Sequence, residues 1–243
     1  MALIRADKYL ADMGVGTRSE VKEYIKQGRV TVNDTVMKMA DMKLDSDTDI
    51  VCFDGVPVSY MEYEYYMLNK PAGVVSATED KRYATVLDLI AAKTRRDLFP
   101  VGRLDKDTQG LLLITNDGEL AHELLSPKKH VDKLYYARID GVVTQSHVEA
   151  FRAGLFVDET FRAMPANLTI LSVNETERMS EIELTVREGK FHQVKRMFEA
   201  CNMRVTFLKR LRMGALLLDT TLKPGEYRML TKDEIQRLKE CCH

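Results

Sequence analysis

At 243 residues with 45% apolar and 30% charged side chains, the chain is long enough for one large domain, or for a small domain followed by a larger one, with a substantial core. A net charge of −1 excludes a uniformly basic nucleic-acid binder, and no apolar run approaches the roughly 18 residues needed to span a bilayer. The opening MALIRADKYLADMG places Arg5 and Asp7 where a secretion signal needs an unbroken apolar stretch, so a cytoplasmic protein is expected.

Tyr9, Leu10 and Met13 stand at helical spacing before a Gly14-x-Gly16 break. Val21, Tyr24 and Ile25 form a second apolar stripe, with Thr17 or Ser19 as its cap and Gly28 placed to end it in a left-handed conformation. Residues 29–33 alternate as a strand with Asn33-Asp34 as a turn, and Val51, Phe53, Val56 and Val58 suggest a hairpin around Asp54-Gly55. On the second helix Arg18, Lys22 and Lys26 recur every fourth residue, with Arg29 just beyond. Spacing alone makes this row either a solvated face or a line of phosphate contacts. The stretch RADKYLADMGVGTRSEVKEYIKQGRVTVND resembles the small RNA-binding domain first described in a small-subunit ribosomal protein. That resemblance implies that the second helix and the following loop grip structured RNA, and it favours the phosphate-contact reading. A domain boundary is expected near residue 60, with a small RNA-binding domain over 1–60 and a larger domain over 61–243.

Beyond a polar stretch over 59–64, the pattern predicts strands over 135–139, 168–173, 181–186 and 204–208, and helices over 86–92, 119–125, 146–153, 194–200 and 232–240. The two do not alternate regularly, so an α+β fold with a mixed, largely antiparallel sheet is expected rather than a doubly wound parallel one. Gly110 precedes a continuous apolar strand over 111–114, and Asn116-Asp117-Gly118 reads as a turn. Asp105 therefore sits in a loop feeding a buried strand, a place that suits either a structural or a catalytic carboxylate. The four cysteines, Cys52, Cys201, Cys241 and Cys242, form no CxxC pair and read as reduced thiols, and the five histidines lack metal-ligand spacing, so no metal is expected. Charge is segregated: residues 187–212 hold eight basic against two acidic side chains, while 34–54 hold six aspartates against Lys38 and Lys43. Such a pattern suggests one polyanion-facing surface on a balanced protein.

The segment GRLDKDTQGLLLITNDG, residues 102–118, is similar to the signature of the pseudouridine synthases that modify single ribosomal-RNA uridines. The resemblance implies that Asp105, not Asp107 or Asp117, is the catalytic aspartate, and that Arg103 beside it helps displace the target base. MLNKPAGVVSATED, residues 67–80, matches the family's first block and includes Lys70. Lys133-Leu-Tyr135-Tyr136 matches the block with an active-site tyrosine, assigned to Tyr135. REGKFHQVKRMFEACN, residues 187–202, matches the block supplying a basic partner for the aspartate, assigned to Lys195 with Arg196 as the alternative. Taken singly, these tyrosines read as strand aromatics, Lys195 and Arg196 as a solvated helix face, and His192 as a polar residue without a nucleophile to serve. RNA contacts are expected from Arg18, Lys22, Lys26, Arg29, Lys70, Arg103, His192, Gln193, Arg196, Lys209, Arg210 and Arg212.

The implied reaction breaks the bond from the uracil ring nitrogen to the ribose, turns the base and rejoins it through a ring carbon. It needs no cofactor, in keeping with the absence of a glycine-rich nucleotide loop. An aspartate serves it either as a nucleophile at the anomeric carbon or as a base toward a neighbouring sugar proton. Tyr135 can stack on the base or assist proton transfer. The target must be turned out of its stack, at a cost of a few kcal/mol that phosphate contacts offset. The MLNKP block and the LKPGEYRMLT tail look most like the small-subunit (16S) type, with 23S relatives as the alternative. The expected partner is ribosomal RNA or a ribosomal-subunit assembly intermediate, met by a monomer with no membrane and no nucleotide cofactor. A non-catalytic RNA-binding or ribosome-assembly protein, or a small-molecule α+β enzyme, are the readings from other classes.

Overall fold

A computed structural model describes residues 3–241, which pack as two compact units. One runs to Glu64 and also takes Ala91–Leu98; the other holds Tyr65–Ile90 and the chain from Phe99 onward. Cys242, among the thiols read as reduced, lies outside the described residues, of which Cys52, Cys201 and Cys241 are unpaired. No helix among the described residues is long and apolar enough to cross a membrane.

The first unit is built from β1 (Leu3–Arg5), α1 (Ala6–Asp12), α2 (Arg18–Lys26), β2 (Val30–Val32), β3 (Thr35–Val36), β4 (Lys43–Asp45), β5 (Val51–Phe53) and β6 (Val56–Pro57). Strands β3-β2-β5-β6 form one antiparallel sheet and β1 pairs with β4. Thr17, rather than Ser19, caps α2: its hydroxyl accepts from the Glu20 N–H while the Glu20 carboxylate accepts from the Thr17 N–H. Asn33-Asp34 and Asp54-Gly55 all have positive φ, the backbone a two-residue hairpin loop requires. Tyr9, Leu10, Val21, Ile25, Val30 and Val51 meet in the core, leaving Arg18, Lys22 and Lys26 exposed. Arg95 draws the 91–98 segment into this unit: almost buried, it donates to the Met61 carbonyl at 3.0 Å and pairs with Asp97 at 2.7 Å.

The second unit is formed by β7 (Tyr65–Lys70), β8 (Phe99–Pro100), β9 (Gln109–Thr115), α3 (Gly118–Leu125), β10 (Lys133–Asp140), α4 (Gln145–Ala153), β11 (Phe156–Asp158), β12 (Phe161–Arg162), β13 (Asn167–Asn174), β14 (Met179–Val186), α5 (Gln193–Glu199), β15 (Arg204–Met213), β16 (Leu216–Leu217), β17 (Tyr227–Met229) and α6 (Lys232–Glu240). Its main sheet runs β13-β14-β10-β15-β9-β7-β17, with β16 on β15 and β8 on β9; β15–β9 is parallel and the other pairs are antiparallel. One core cluster gathers Ala137, Ile139, Phe151, Leu184, Met197 and Phe198 beneath α4 and α5; another gathers Met67, Leu111, Leu113, Leu124 and Leu238 beneath α3 and α6. The run of leucines in β9 is wholly buried, as a central strand requires. The helix expected over 86–92 is absent. Val75 and Thr85 pair as a β-bridge, the Val86 N–H goes to the Val75 carbonyl, and Ile90 bonds back only three residues. Val86, Leu87 and Ile90 are buried in turns instead, so tertiary pairing overrode helical spacing.

Candidate active site

Register sets the site's geometry. Across four strands, Tyr135 pairs with Arg210, Arg210 with Gly110, and Gly110 with Lys70. Gly110 has φ +99, and a Cβ there would lie 2.2 Å from the Arg210 carbonyl oxygen, so only glycine lets β9 and β15 approach this closely. The loop entering β9 carries Arg103, Leu104, Asp105, Lys106 and Asp107.

That loop is fixed from beneath. Lys70 is 0% exposed, and its ammonium donates to the carbonyls of Thr108 (2.9 Å), Pro71 (3.1 Å), Asp105 (3.1 Å) and Lys106 (3.3 Å). Burial pulls the Lys70 ammonium down to about 8, although the carboxylates of Asp107 and Asp105 act to raise it. The Ser76 hydroxyl donates to the Leu104 carbonyl at 2.9 Å and accepts from its N–H at 3.1 Å, and the Gly73 N–H reaches the Lys106 carbonyl at 2.8 Å. Leu104 packs inward while the Asp105 side chain remains partly open.

Opposite stands α5. Val194, Met197 and Phe198, at i, i+3 and i+4, turn into the core, and Lys195 leans toward the loop. Its Nζ lies 3.1 Å from Asp105 Oδ2 and 2.7 Å from Asp107 Oδ1, while His192 Nε2 lies 3.5 Å from Asp105 Oδ1. Burial works against charge on Lys195, but its bonds to Asp107 and Asp105 outweigh that and raise it above the usual lysine value. For Asp107 burial likewise works upward, and the Lys195 hydrogen bond overrides it to hold the carboxyl below its usual range. Arg103, Asp105, Thr108, Tyr135, His192 and Lys195 line one open cleft. A carboxylate with a lysine counter-charge and a tyrosine in one cleft is equipped for nucleophilic or base chemistry on a sugar.

Residues 64–200 match the model of the RNA pseudouridylate synthase family, and residues 4–50 match the S4 domain. The chain belongs to the RNA pseudouridylate synthase family. It is 45% identical over 238 residues to an uncharacterised RNA pseudouridine synthase of Bacillus subtilis (strain 168), covering 98% of this chain and 99% of that protein. It is 41% identical to the ribosomal small subunit pseudouridine synthase A of Vibrio cholerae, covering 96% and 98%. The ribosomal large subunit pseudouridine synthase B of Bacillus subtilis is 37% identical, covering 97% and 95%. A crystal structure of a pseudouridylate synthase superposes with a TM-score of 0.67 at 35% identity, covering 97% of this chain and 99% of that one.

Several residues expected to contact RNA in this pseudouridine synthase are engaged by contacts within the protein. Lys70 is sealed beneath the Asp105 loop and reaches only backbone carbonyls. Arg210, 2% exposed, donates through Nε to the Leu111 carbonyl at 2.8 Å, so it ties β15 to β9 rather than meeting solvent. Gln193 is buried; its amide donates to Glu188 at 2.9 Å and accepts from the Lys190 N–H at 3.2 Å, bracing the loop before α5. Arg196, the alternative partner for Asp105, pairs with Asp158 and lies over the Phe161 ring at 4.9 Å. The hydroxyl of Thr160, then that ion pair and the Thr160 N–H, hold the Asp158 carboxyl well below its usual range. Lys209 is half-buried opposite Tyr136, and Arg212 lines a separate groove with Arg152 and Arg187. In the S4 unit, Lys26 pairs with Glu23, and Arg29 pairs with Asp54 over the Tyr24 and Phe53 rings. Sequence reasoning missed one residue of the charge cluster: Asp107 is the nearer carboxylate to Lys195, a placement its i+2 spacing from Asp105 hinted at.

Proposed function

We propose that the chain isomerises a specific uridine of ribosomal RNA to pseudouridine, with Asp105 acting on the ribose, Lys195 as its counter-charge and Tyr135 against the uracil. The bond from ring nitrogen to C1′ breaks, the base turns, C5 bonds to C1′, and the proton on C5 leaves as the ring nitrogen gains one. The observation that carries the reading is the Asp105 carboxylate facing the cleft with the Lys195 ammonium 3.1 Å away. Arg103 and His192 stand where an extruded nucleotide must enter, and the S4 unit supplies Arg18, Lys22 and Lys26 for phosphates. We place the target in 16S RNA, supported by the small-subunit relative at 41% identity; the large-subunit relative at 37% keeps 23S RNA as the second reading. The protein acts in the cytoplasm as a monomer, on free ribosomal RNA or a subunit assembly intermediate.

The test uses 16S and 23S transcripts tritiated at uracil C5, whose label is released on isomerisation. Asp105→Asn is expected to abolish release while RNA affinity falls less than about threefold, because the lost group contacts the reacting sugar rather than phosphates. Retained turnover would overturn the assignment, and mapping pseudouridines in both RNAs decides the subunit.

A further inference from the structure

The loop between β14 and α5 exposes an aromatic ring that the reaction leaves unused. Phe191 is 72% exposed, the most exposed large apolar side chain among the described residues, and it sits between Lys190 and His192, both lining the cleft. Its ring stacks on the His192 imidazole with centroids 3.8 Å apart and planes 17° from parallel. Bases in a nucleic-acid strand are spaced by roughly 3.4 Å, so the pair has nearly the pitch of two stacked bases. His192 holds a left-handed backbone at φ +50, a conformation that costs energy outside glycine and persists where something over-determines it. His192 Nε2 lies 3.5 Å from Asp105 Oδ1, so the stack begins beside the carboxylate and ends at the open face of Phe191. The exposed Arg103 and Lys190 stand on the same cleft, available to phosphates.

From this we infer that Phe191, backed by His192, forms a stacking subsite for the nucleobase next to the target uridine, occupying the gap left in the RNA stack when the uridine turns out. This rests on the functional reading above. A purely structural role does not account for an aromatic side chain left 72% exposed. A phosphate or sugar contact does not account for an apolar ring, whereas any base offers it a π-face. The subsite is therefore indifferent to which base neighbours the target, and it acts on extrusion rather than on bond breaking.

The chain contains no tryptophan, so Phe191→Trp places a single tryptophan, excited selectively beyond the tyrosine band, at the subsite. Adding an equimolar mixture of 16S and 23S transcripts should quench the F191W emission, while Leu171→Trp, 50% exposed on the edge strand β13, changes little. On tritiated transcripts, Phe191→Ala and Phe191→Leu should each lower kcat/KM roughly 5- to 100-fold, and Phe191→Trp should stay within about threefold of the wild type. The leucine variant separates stacking from apolar bulk. Wild-type rates in F191A or F191L, or unquenched F191W emission, would overturn the subsite. If the wild type released no tritium from either transcript, the functional reading would fail, and the emission change would still decide the stacking.

Discussion

Replacing Lys70 with methionine tests whether the Asp105 loop is held from beneath. The substitution keeps the length and apolar stem of the side chain and removes its three donor protons, leaving the carbonyls of Pro71, Asp105, Lys106 and Thr108 without that partner. Three charge-assisted hydrogen bonds at about 1.5–3 kcal/mol each give about 5–9 kcal/mol. The same change relieves the cost of burying an ammonium. A fall from 10.5 to about 8 in a group with no exposure corresponds to about 3 kcal/mol. The balance predicts a loss of about 2–6 kcal/mol, read as a lower midpoint in urea unfolding. Because Asp105 and Lys106 lose their backbone anchor, kcat should fall about tenfold or more with little change in KM, the pattern of a displaced catalytic group. A K70M chain with unchanged urea midpoint and unchanged kcat would refute the argument, since the ammonium would then be a passenger.

The other predictions concern charge and close packing. Lys70 and Lys133 both fall to about 8, chiefly through burial, against 10.5 in the unfolded chain. Between these values the unfolded state binds more protons than the native one, so these two groups make stability rise with pH; urea midpoints should climb from about pH 7.5 to about 9.5, and climb less in K70M. Lys195→Met should lower kcat about 100-fold or more, whereas Arg196→Met, which breaks the pair with Asp158, should lower it less than about fivefold; equal losses would mean that the geometry around Asp105 was misread. Gly110→Ala forces a Cβ to 2.2 Å from the Arg210 oxygen and should cost about 3 kcal/mol or more, while Gly73→Ala, at φ +90 with nothing within 4 Å, should cost about 1 kcal/mol; thermal melting of the pair measures the difference.

What could be read beforehand follows from how local each signal is. The Thr17 cap, the positive-φ hairpin turns and the C-terminal helix depend on residues within four positions of one another, and the sequence shows them directly. The loop bearing Asp105 was legible through its long motif. The burial of Lys70 was not. A lysine between Asn69 and Pro71 looks solvent-bound unless one knows that four carbonyls converge on it from residues 71–108. The choice between Lys195 and Arg196 was also hidden. They lie on adjacent flanks of the 194/197/198 stripe, and only the packing of α5 against the sheet turns one toward Asp105 and the other toward Asp158. The absent helix over 86–92 failed for the same reason, because Val75 is ten residues from its partner Thr85.

The register of the central strands explains why these distant segments meet. Tyr135, Arg210, Gly110 and Lys70 form one row across β10, β15, β9 and β7. Slipping β10 by one residue would send Tyr135 to the other face and bring Tyr136 to the cleft, since side chains alternate along a strand. The slip is opposed at several points: Ala137 and Ile139 would leave the core, and the bulge between Leu134 and Tyr135 would lose its place. On β15 the same row places Arg210 over Gly110, where no side chain fits, and uses its guanidinium to fasten the parallel pair. The sheet thus fixes Tyr135 and the root of the Asp105 loop relative to each other before any RNA arrives. Lys195, carried on a helix whose buried face belongs to the same core, completes the set. Preorganisation of this kind lets the chain's own side chains act by position, with little reorganisation left for the moment of reaction.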